Sequence, residues 1–195
     1  MKKRNAIIAA VALVAIVVLW AISGYNGLVS MDEQVDNQWA NVETQYQRRA
    51  DLIPNLVSTV KGYAQHEQQT LQQVVEARSK ATQVKLDASS LTEENLAAYQ
   101  KAQSEVSSAL SRLLVVAENY PELKANENFK ELQAQLEGTE NRIAVARKDF
   151  NDGAKQYNTA IRRFPKNLLA GVFGFDKKAY FQASEGSAEA PKVEF

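Results

Sequence analysis

The sequence predicts an all-α protein, an antiparallel bundle of long helices behind one N-terminal transmembrane helix. Three observations carry that prediction. An unbroken apolar run lies near the N-terminus, apolar residues elsewhere recur at spacings of three and four, and nowhere do apolar and polar residues alternate as in a strand.

The first element is the apolar run over residues 6–22, preceded by Lys2, Lys3 and Arg4 and closed by Ser23 and Gly24. About 17 residues of helix extend roughly 26 Å, enough to cross the hydrocarbon core of a bilayer. Trp20 and Tyr25 stand at its far end, where amphipathic rings favour the headgroup level. A cleavable signal peptide shares the basic start, and Ala21-Ile22-Ser23 has the small residues of a cleavage site. The run outlasts the usual signal-peptide core, and helical patterning continues beyond it. A retained anchor over residues 6–25 is therefore expected. The next basic residue is Arg48, and Asp32, Glu33, Asp36 and Glu43 come before it. The positive-inside rule puts residues 1–5 in the cytoplasm and the bundle on the other side.

A helical domain follows over residues 26–183. Leu28, Val35, Trp39, Val42, Tyr46, Ile53, Leu56, Val60 and Tyr63 share one face, and they begin so near the span that the membrane helix should run on into the domain. Pro54 interrupts this face. It lacks an N–H and crowds the carbonyl of Ala50, which predicts a kink or short break. A second helix carries Leu71, Val74 and Val75 toward Val84, with Gly62 as a joint. Residues 85–92 predict a loop, and Ser90 with Glu93 has the spacing of a capping box. The third helix runs through Leu96, Tyr99, Val106, Leu110, Leu113, Ala117 and Tyr120, bounded by Pro121. The last long helix starts near Asn126 or Asn128. It carries Phe129, Leu132, Leu136, Ile143, Phe150, Tyr157, Ile161 and Phe164 until Pro165 ends it. Residues 168–181 hold Phe173, Phe175, Tyr180 and Phe181 and are expected to cap one end of the bundle. Residues 184–195 have little to bury and are expected to be disordered.

Composition excludes several kinds of chemistry. There is no cysteine, hence no disulfide, thiol nucleophile or cysteine-bound metal. Basic and acidic residues number 23 each. With the three N-terminal cations set aside, the remainder carries about −3, which gives no nucleic-acid signature and no polybasic patch for anionic lipid. His66 is the one histidine, so a histidine-rich zinc site is not available, and His66-Glu67 is expected as a solvated pair on a helix. Neither a phosphate-binding G-x-x-x-x-G-K loop nor a G-x-S-x-G elbow occurs. Asp32-Glu33, Glu93-Glu94 and Glu137 with Glu140 are ordinary for solvated helix faces or helix starts. No cofactor, metal, catalytic residue or small-molecule substrate is indicated.

One polar feature stands out. Arg49 lies on the first stripe between Tyr46 and Ile53, and Arg147 on the last between Ile143 and Phe150. A buried charge needs partners. One reading is a polar layer in which Arg49 and Arg147 meet Asp51, Glu118 or Glu140. The other is that both arginines reach from the stripe edge to water.

Motifs along the chain resemble the LemA family of bacterial membrane proteins. They include Tyr25-Asn26-Gly27-Leu28-Val29, Trp39-Ala40-Asn41-Val42 and Arg48-Arg49-Ala50-Asp51-Leu52-Ile53-Pro54-Asn55-Leu56-Val57. Val60-Lys61-Gly62-Tyr63-Ala64, Glu118-Asn119-Tyr120-Pro121-Glu122-Leu123-Lys124-Ala125 and Thr139-Glu140-Asn141-Arg142-Ile143-Ala144 follow in order. Tyr157-Asn158, Phe164-Pro165 and Phe173-Gly174-Phe175 complete the series. The resemblance implies a single N-terminal span and a helical bundle, with no established activity. It also implies work at the cell envelope, since members are encoded beside a membrane metallopeptidase and some take part in shaping internal membranes. Family topologies drawn with the bulk of the chain in the cytoplasm oppose the charge argument, which is retained.

The expected function is a non-enzymatic scaffold or adaptor of the cytoplasmic membrane, acting through helix–helix contacts with a protein partner or with copies of itself. The alternatives are a regulatory partner of a membrane protease or envelope-stress pathway, and a hydrolase built on helix carboxylates and His66.

Overall fold

One helix, α1 (Lys2–Tyr63), carries the chain from the apolar run into the body of the protein. The computed structural model describes residues 2–182, so the expected tail over residues 184–195 lies outside the described residues. Five more helices follow: α2 (Gln68–Gln83), α3 (Glu93–Ala117), the short α4 (Pro121–Ala125), α5 (Glu127–Arg162) and α6 (Lys166–Phe173). No strand occurs among the described residues. At 1.5 Å per residue, α1 is roughly 93 Å long. It is the one helix among those described that is long and apolar enough to cross a membrane.

Helices α1, α2, α3 and α5 run up and down beside one another, and their stripes close two apolar clusters. The first gathers Leu28, Val35, Trp39, Val42 and Tyr46 of α1 with Tyr99 of α3 and Ile143, Phe150 and Tyr157 of α5. The second gathers Ile53, Leu56 and Val60 with Val74, Val106, Leu113, Phe129 and Leu136. Trp39 donates its indole N–H to the Leu86 carbonyl at 3.0 Å, which pins the loop after α2 onto the lower cluster.

Pro54 does not break the helix: α1 is continuous through it. The carbonyl that loses its helical partner is that of Ala50, four residues back. Arg78 of α2 donates its Nε–H to that carbonyl at 2.7 Å. A charged donor from the neighbouring helix replaces the missing amide, so the backbone stays satisfied.

Other expectations shift in detail. The N-cap of α3 is Thr92, whose side chain accepts from the Asn95 amide at 3.2 Å. Ser90 instead closes a short 3-10 turn with its hydroxyl on the Asp87 carbonyl. The α5 N-cap is Asn126, as its spacing predicts. Tyr63, Val75 and Phe164 lie on the predicted stripes yet are exposed, because each falls where its helix ends or faces away from a neighbour. His66 sits exposed in the turn between α1 and α2, not on a helix.

The aromatic C-terminal segment is not a lid over one end. Helix α6 packs beside α1, with Leu169 against Gly24: a Cβ added there would lie 2.6 Å from Leu169 Cδ1, so any larger residue would make the Leu169 side chain shift. Gly174 ends α6 at φ 72°, a left-handed cap that turns the chain around. Residues 175–182 then run back along the bundle as an extended strap, with Phe181 buried between Trp39 and Phe150.

Candidate functional site

Arg49 is the most buried charged side chain among the described residues, 2 % exposed, and it stands at the level that separates the two apolar clusters. Helical spacing puts it there: Tyr46 and Ile53 are seven residues apart on the same face, and Arg49 lies between them. Its Nη1 donates to Ser107 Oγ at 2.7 Å and to Glu140 Oε1 at 2.8 Å. Its Nη2 donates to the Gln103 carbonyl at 3.0 Å and to Gln103 Oε1 at 2.7 Å. The Tyr46 ring lies 5.1 Å from the guanidinium carbon. Acceptors on two helices, α3 and α5, thus occupy both terminal nitrogens of one fork carried by α1. Glu140, 42 % exposed, keeps one side in water, so the layer is buried at the cation and open at the anion.

Among the five residues singled out from sequence, the structure brings Arg49 and Glu140 together. Arg147 meets no carboxylate among the described residues: it donates to the Gln182 carbonyl at 3.1 Å and its guanidinium lies 4.7 Å from the Phe181 ring centre. Asp51 is exposed and accepts from Gln47 at 2.7 Å, and Glu118 pairs with Lys124. Sequence reasoning missed Gln103 and Ser107. A signal was present, since Gln103 falls between Tyr99 and Val106 at helical spacings of four and three, as Arg49 falls between Tyr46 and Ile53 at three and four.

Beside this layer, α1, α2, α3 and the loop after α2 border an open cleft of about 960 Å³. Its walls include Glu43, Tyr46, Asp87 and Tyr99. Burial, and then the charge of Asp87, hold the Glu43 carboxyl above the usual range. Burial raises the Tyr46 hydroxyl against the opposing pull of Arg147 and Arg49. It raises Tyr99 as well, helped by Tyr46 and Glu43. Both phenols are therefore neutral donors at physiological pH. His66 lies in the turn beyond the end of α1, separated from Ile53 at the near edge of this cleft by about 15 Å of helix. No group of three or more metal-ligating side chains occurs among the described residues. Chemically, the arrangement ties helices together. Its strongest donors are already used, and no hydroxyl is paired with a base.

A second polar constellation secures the strap. Asn158 takes Lys178 by both backbone groups: its Oδ1 accepts from the amide at 2.9 Å and its Nδ2 donates to the carbonyl at 2.8 Å. Asn151 holds Phe181 in the same way, at 2.9 Å and 2.9 Å. Gln100 of α3 does so for Gln182, less tightly, at 3.4 Å and 2.9 Å. These amides stand in for a neighbouring strand, satisfying backbone that no helix pairs. Lys178 then reaches Asp32 at 2.9 Å and Asp36 at 3.2 Å on α1. Burial opposes its charge, but the two aspartates outweigh burial and raise its pKa. Sequence patterning gives no sign of the strap, because an extended segment held by side chains has no period.

Residues 38–195 match the sequence profile of the LemA family. Magnetosome protein MamQ 2 of Paramagnetospirillum magneticum is 29 % identical over 175 residues, covering 81 % of this chain and 64 % of that protein. Magnetosome protein MamQ of Magnetospirillum gryphiswaldense is 28 % identical over 174 residues, covering 80 % and 64 %. Protein LemA of Metamycoplasma hominis is 25 % identical over 160 residues, covering 82 % and 69 %. The chain thus spans a little under two thirds of the length of the magnetosome proteins it matches.

Proposed function

The chain belongs to the LemA family, and from that premise we propose that it is a non-enzymatic, membrane-anchored scaffold of the bacterial cell envelope. The observation that carries the proposal is the continuity of α1. One unbroken helix holds exposed Ile7, Val11, Leu19 and Ile22 at one end and fully buried Leu28, Val42, Leu56 and Val60 further along. From Tyr25 to Tyr63 it rises about 57 Å. A flexible linker would let a soluble domain diffuse around its tether. A continuous helix instead fixes the height and tilt of the bundle relative to the membrane, which is what a structural post requires and what catalysis in solution does not. The names of the magnetosome relatives add no chemistry that could be carried onto this chain's residues.

In this proposal Lys2, Lys3 and Arg4 hold the N-terminus in the cytoplasm, and the bundle stands outside the cytoplasmic membrane. It acts through its outer helix faces, where Val75, Val115 and Val145 are exposed. The test uses the absence of native cysteine. Single cysteines at Val75, Val115 and Val145 in the full-length protein are crosslinked in intact membranes. A ladder of self-products from at least one position is expected. One stoichiometric foreign partner and no ladder would replace the scaffold with the protease-regulator reading. Reporters fused to the carboxyl end, active on one side of the membrane only, check the orientation independently.

A further inference from the structure

Helix α6 leaves its apolar side uncovered at an unusual place. Phe164 is 80 % exposed, Leu168 57 %, Val172 77 % and Phe173 55 %, with Phe164, Leu168 and Val172 spaced four apart. The helix touches α1 just where the apolar run ends: Leu169 rests on Gly24, and the Phe173 and Phe175 rings lie 4.8 Å and 5.7 Å from that of Tyr25. Behind it, α1, the end of α5 and the start of α6 enclose a cleft of about 710 Å³ whose lining includes Trp20, Lys155, Arg163 and Lys166. Asp152 also borders the cleft, but it is tied to Lys148 at 2.8 Å. An apolar edge, two cations (Arg163 and Lys166) and an indole therefore meet near the Trp20–Tyr25 end of the span, with Lys155 about two turns higher on α5.

We propose that α6 and this basic cleft form a second membrane contact, the edge Phe164, Leu168, Val172 and Phe173 entering the bilayer interface while Arg163 and Lys166 hold phosphates of anionic phospholipid headgroups. Continuity selects the lipid as the occupant. Exposed Trp20 of the span shares this cleft with exposed Phe164 and with Lys166 of α6, so whatever solvent surrounds α1 there also meets α6. Apolar groups flanked by cations suit an interfacial helix, which buries its carbon in the acyl boundary and leaves its charges among headgroups. Short as it is, α6 need not bind alone, because the span already holds it at the surface and makes its insertion intramolecular. The bundle then stands on two feet, which fixes its rotation about α1 as well as its height. This rests on α1 lying in the membrane, as proposed above.

The test is depth measurement by spin labels on single cysteines at Val14, Val145 and Val172 of the full-length protein, reconstituted into phosphatidylcholine vesicles with and without phosphatidylglycerol. Collision with oxygen marks lipid and collision with a water-soluble nickel chelate marks water. The label at Val14 should favour oxygen and that at Val145 nickel. The label at Val172 should favour oxygen with phosphatidylglycerol present, and lose that preference when the anionic lipid is omitted or when Arg163→Glu and Lys166→Glu are introduced together. A label at Val172 that matches Val145, while Val14 remains in lipid, overturns the second contact alone. A label at Val14 in water overturns the anchor itself. Spin–spin broadening at Val172 with shielding from both probes would show a second copy on α6 and refute the lipid contact. Immersion indifferent to anionic lipid and to charge reversal refutes the headgroup site.

Discussion

Removing the Glu140 carboxylate leaves Arg49 as a cation buried between two apolar clusters, and the cost can be worked out from its surroundings. A hydrogen bond to a charged group contributes about 1.5–3 kcal/mol. Glu140 is 42 % exposed and partly screened by water, which argues for the lower end of that range. Arg49 still keeps Gln103 and Ser107, so Glu140→Ala should cost about 1.5–2 kcal/mol, or roughly 3–8 °C in Tm for a domain of this size. Arg49→Met preserves most of the volume but strands Gln103 Oε1, in a residue 8 % exposed, and should cost about 2 kcal/mol. With methionine already in place, Glu140 becomes an ordinary half-exposed carboxylate, and removing it should cost no more than about 0.5 kcal/mol. The double variant is therefore expected about 1–1.5 kcal/mol more stable than the sum of its parts. Denaturant unfolding of the full-length protein in detergent, followed by helical circular dichroism, measures all four corners. Additivity within about 0.3 kcal/mol would refute a coupled layer and return Arg49 to the reading in which it merely reaches for water.

Two further outcomes follow from the same kind of reasoning. Arg78→Gln should destabilise by about 1–2 kcal/mol because the Ala50 carbonyl loses its charged donor, and Pro54→Ala should abolish most of that penalty by restoring the amide. Equal penalties for Arg78→Gln in both backgrounds would show that Arg78 does not serve the carbonyl. At high pH, burial keeps Tyr46, Tyr99 and Tyr157 protonated, and Lys178 keeps its proton through Asp32 and Asp36 despite burial. All four have folded values above their unfolded ones. Their contribution is complete below about pH 10 and is lost as pH rises through the folded values. The tyrosinate absorbance of these three phenols should appear together with the loss of helical signal. Titration of all seven tyrosines in one step, with the helices intact, would contradict their burial.

The helices were legible because each long one has a single face to bury, and a period near 3.6 records that face in sequence. Leu28, Trp39, Leu56, Phe129, Phe150 and Tyr157 are all buried where their spacing places them. What spacing cannot record is which neighbour lies opposite. Arg49 and Arg147 occupy equivalent stripe positions, yet Arg49 faces the seam of α3 and α5 whereas Arg147 faces the strap. Pro54 gave the rule for an isolated helix, and the expected break is absent where Arg78, on another helix, serves the orphaned carbonyl. The strap was invisible for a related reason: its hydrogen bonds come from Asn151, Asn158 and Gln100, residues that resemble solvated helix positions in any one-dimensional pattern.

The buried layer and the membrane end of the protein are connected by register. Leucine, valine and alanine stripes on α1 and α5 pack nearly as well when one helix slides past the other by a turn of 5.4 Å. Such a slip would carry Arg49 away from Glu140 and opposite Leu136 or Ile143. A guanidinium 2 % exposed would then lack a counter-charge, at a cost of several kcal/mol. The ion pair contributes little net stability for its burial, but it penalises every neighbouring register, which apolar contacts alone do not. Because α6 follows directly on α5, the register of α5 against α1 also sets the height at which Leu169 meets Gly24. A polar layer near the middle of the bundle thereby determines whether the exposed edge of α6 lies level with the end of the span or a turn above it.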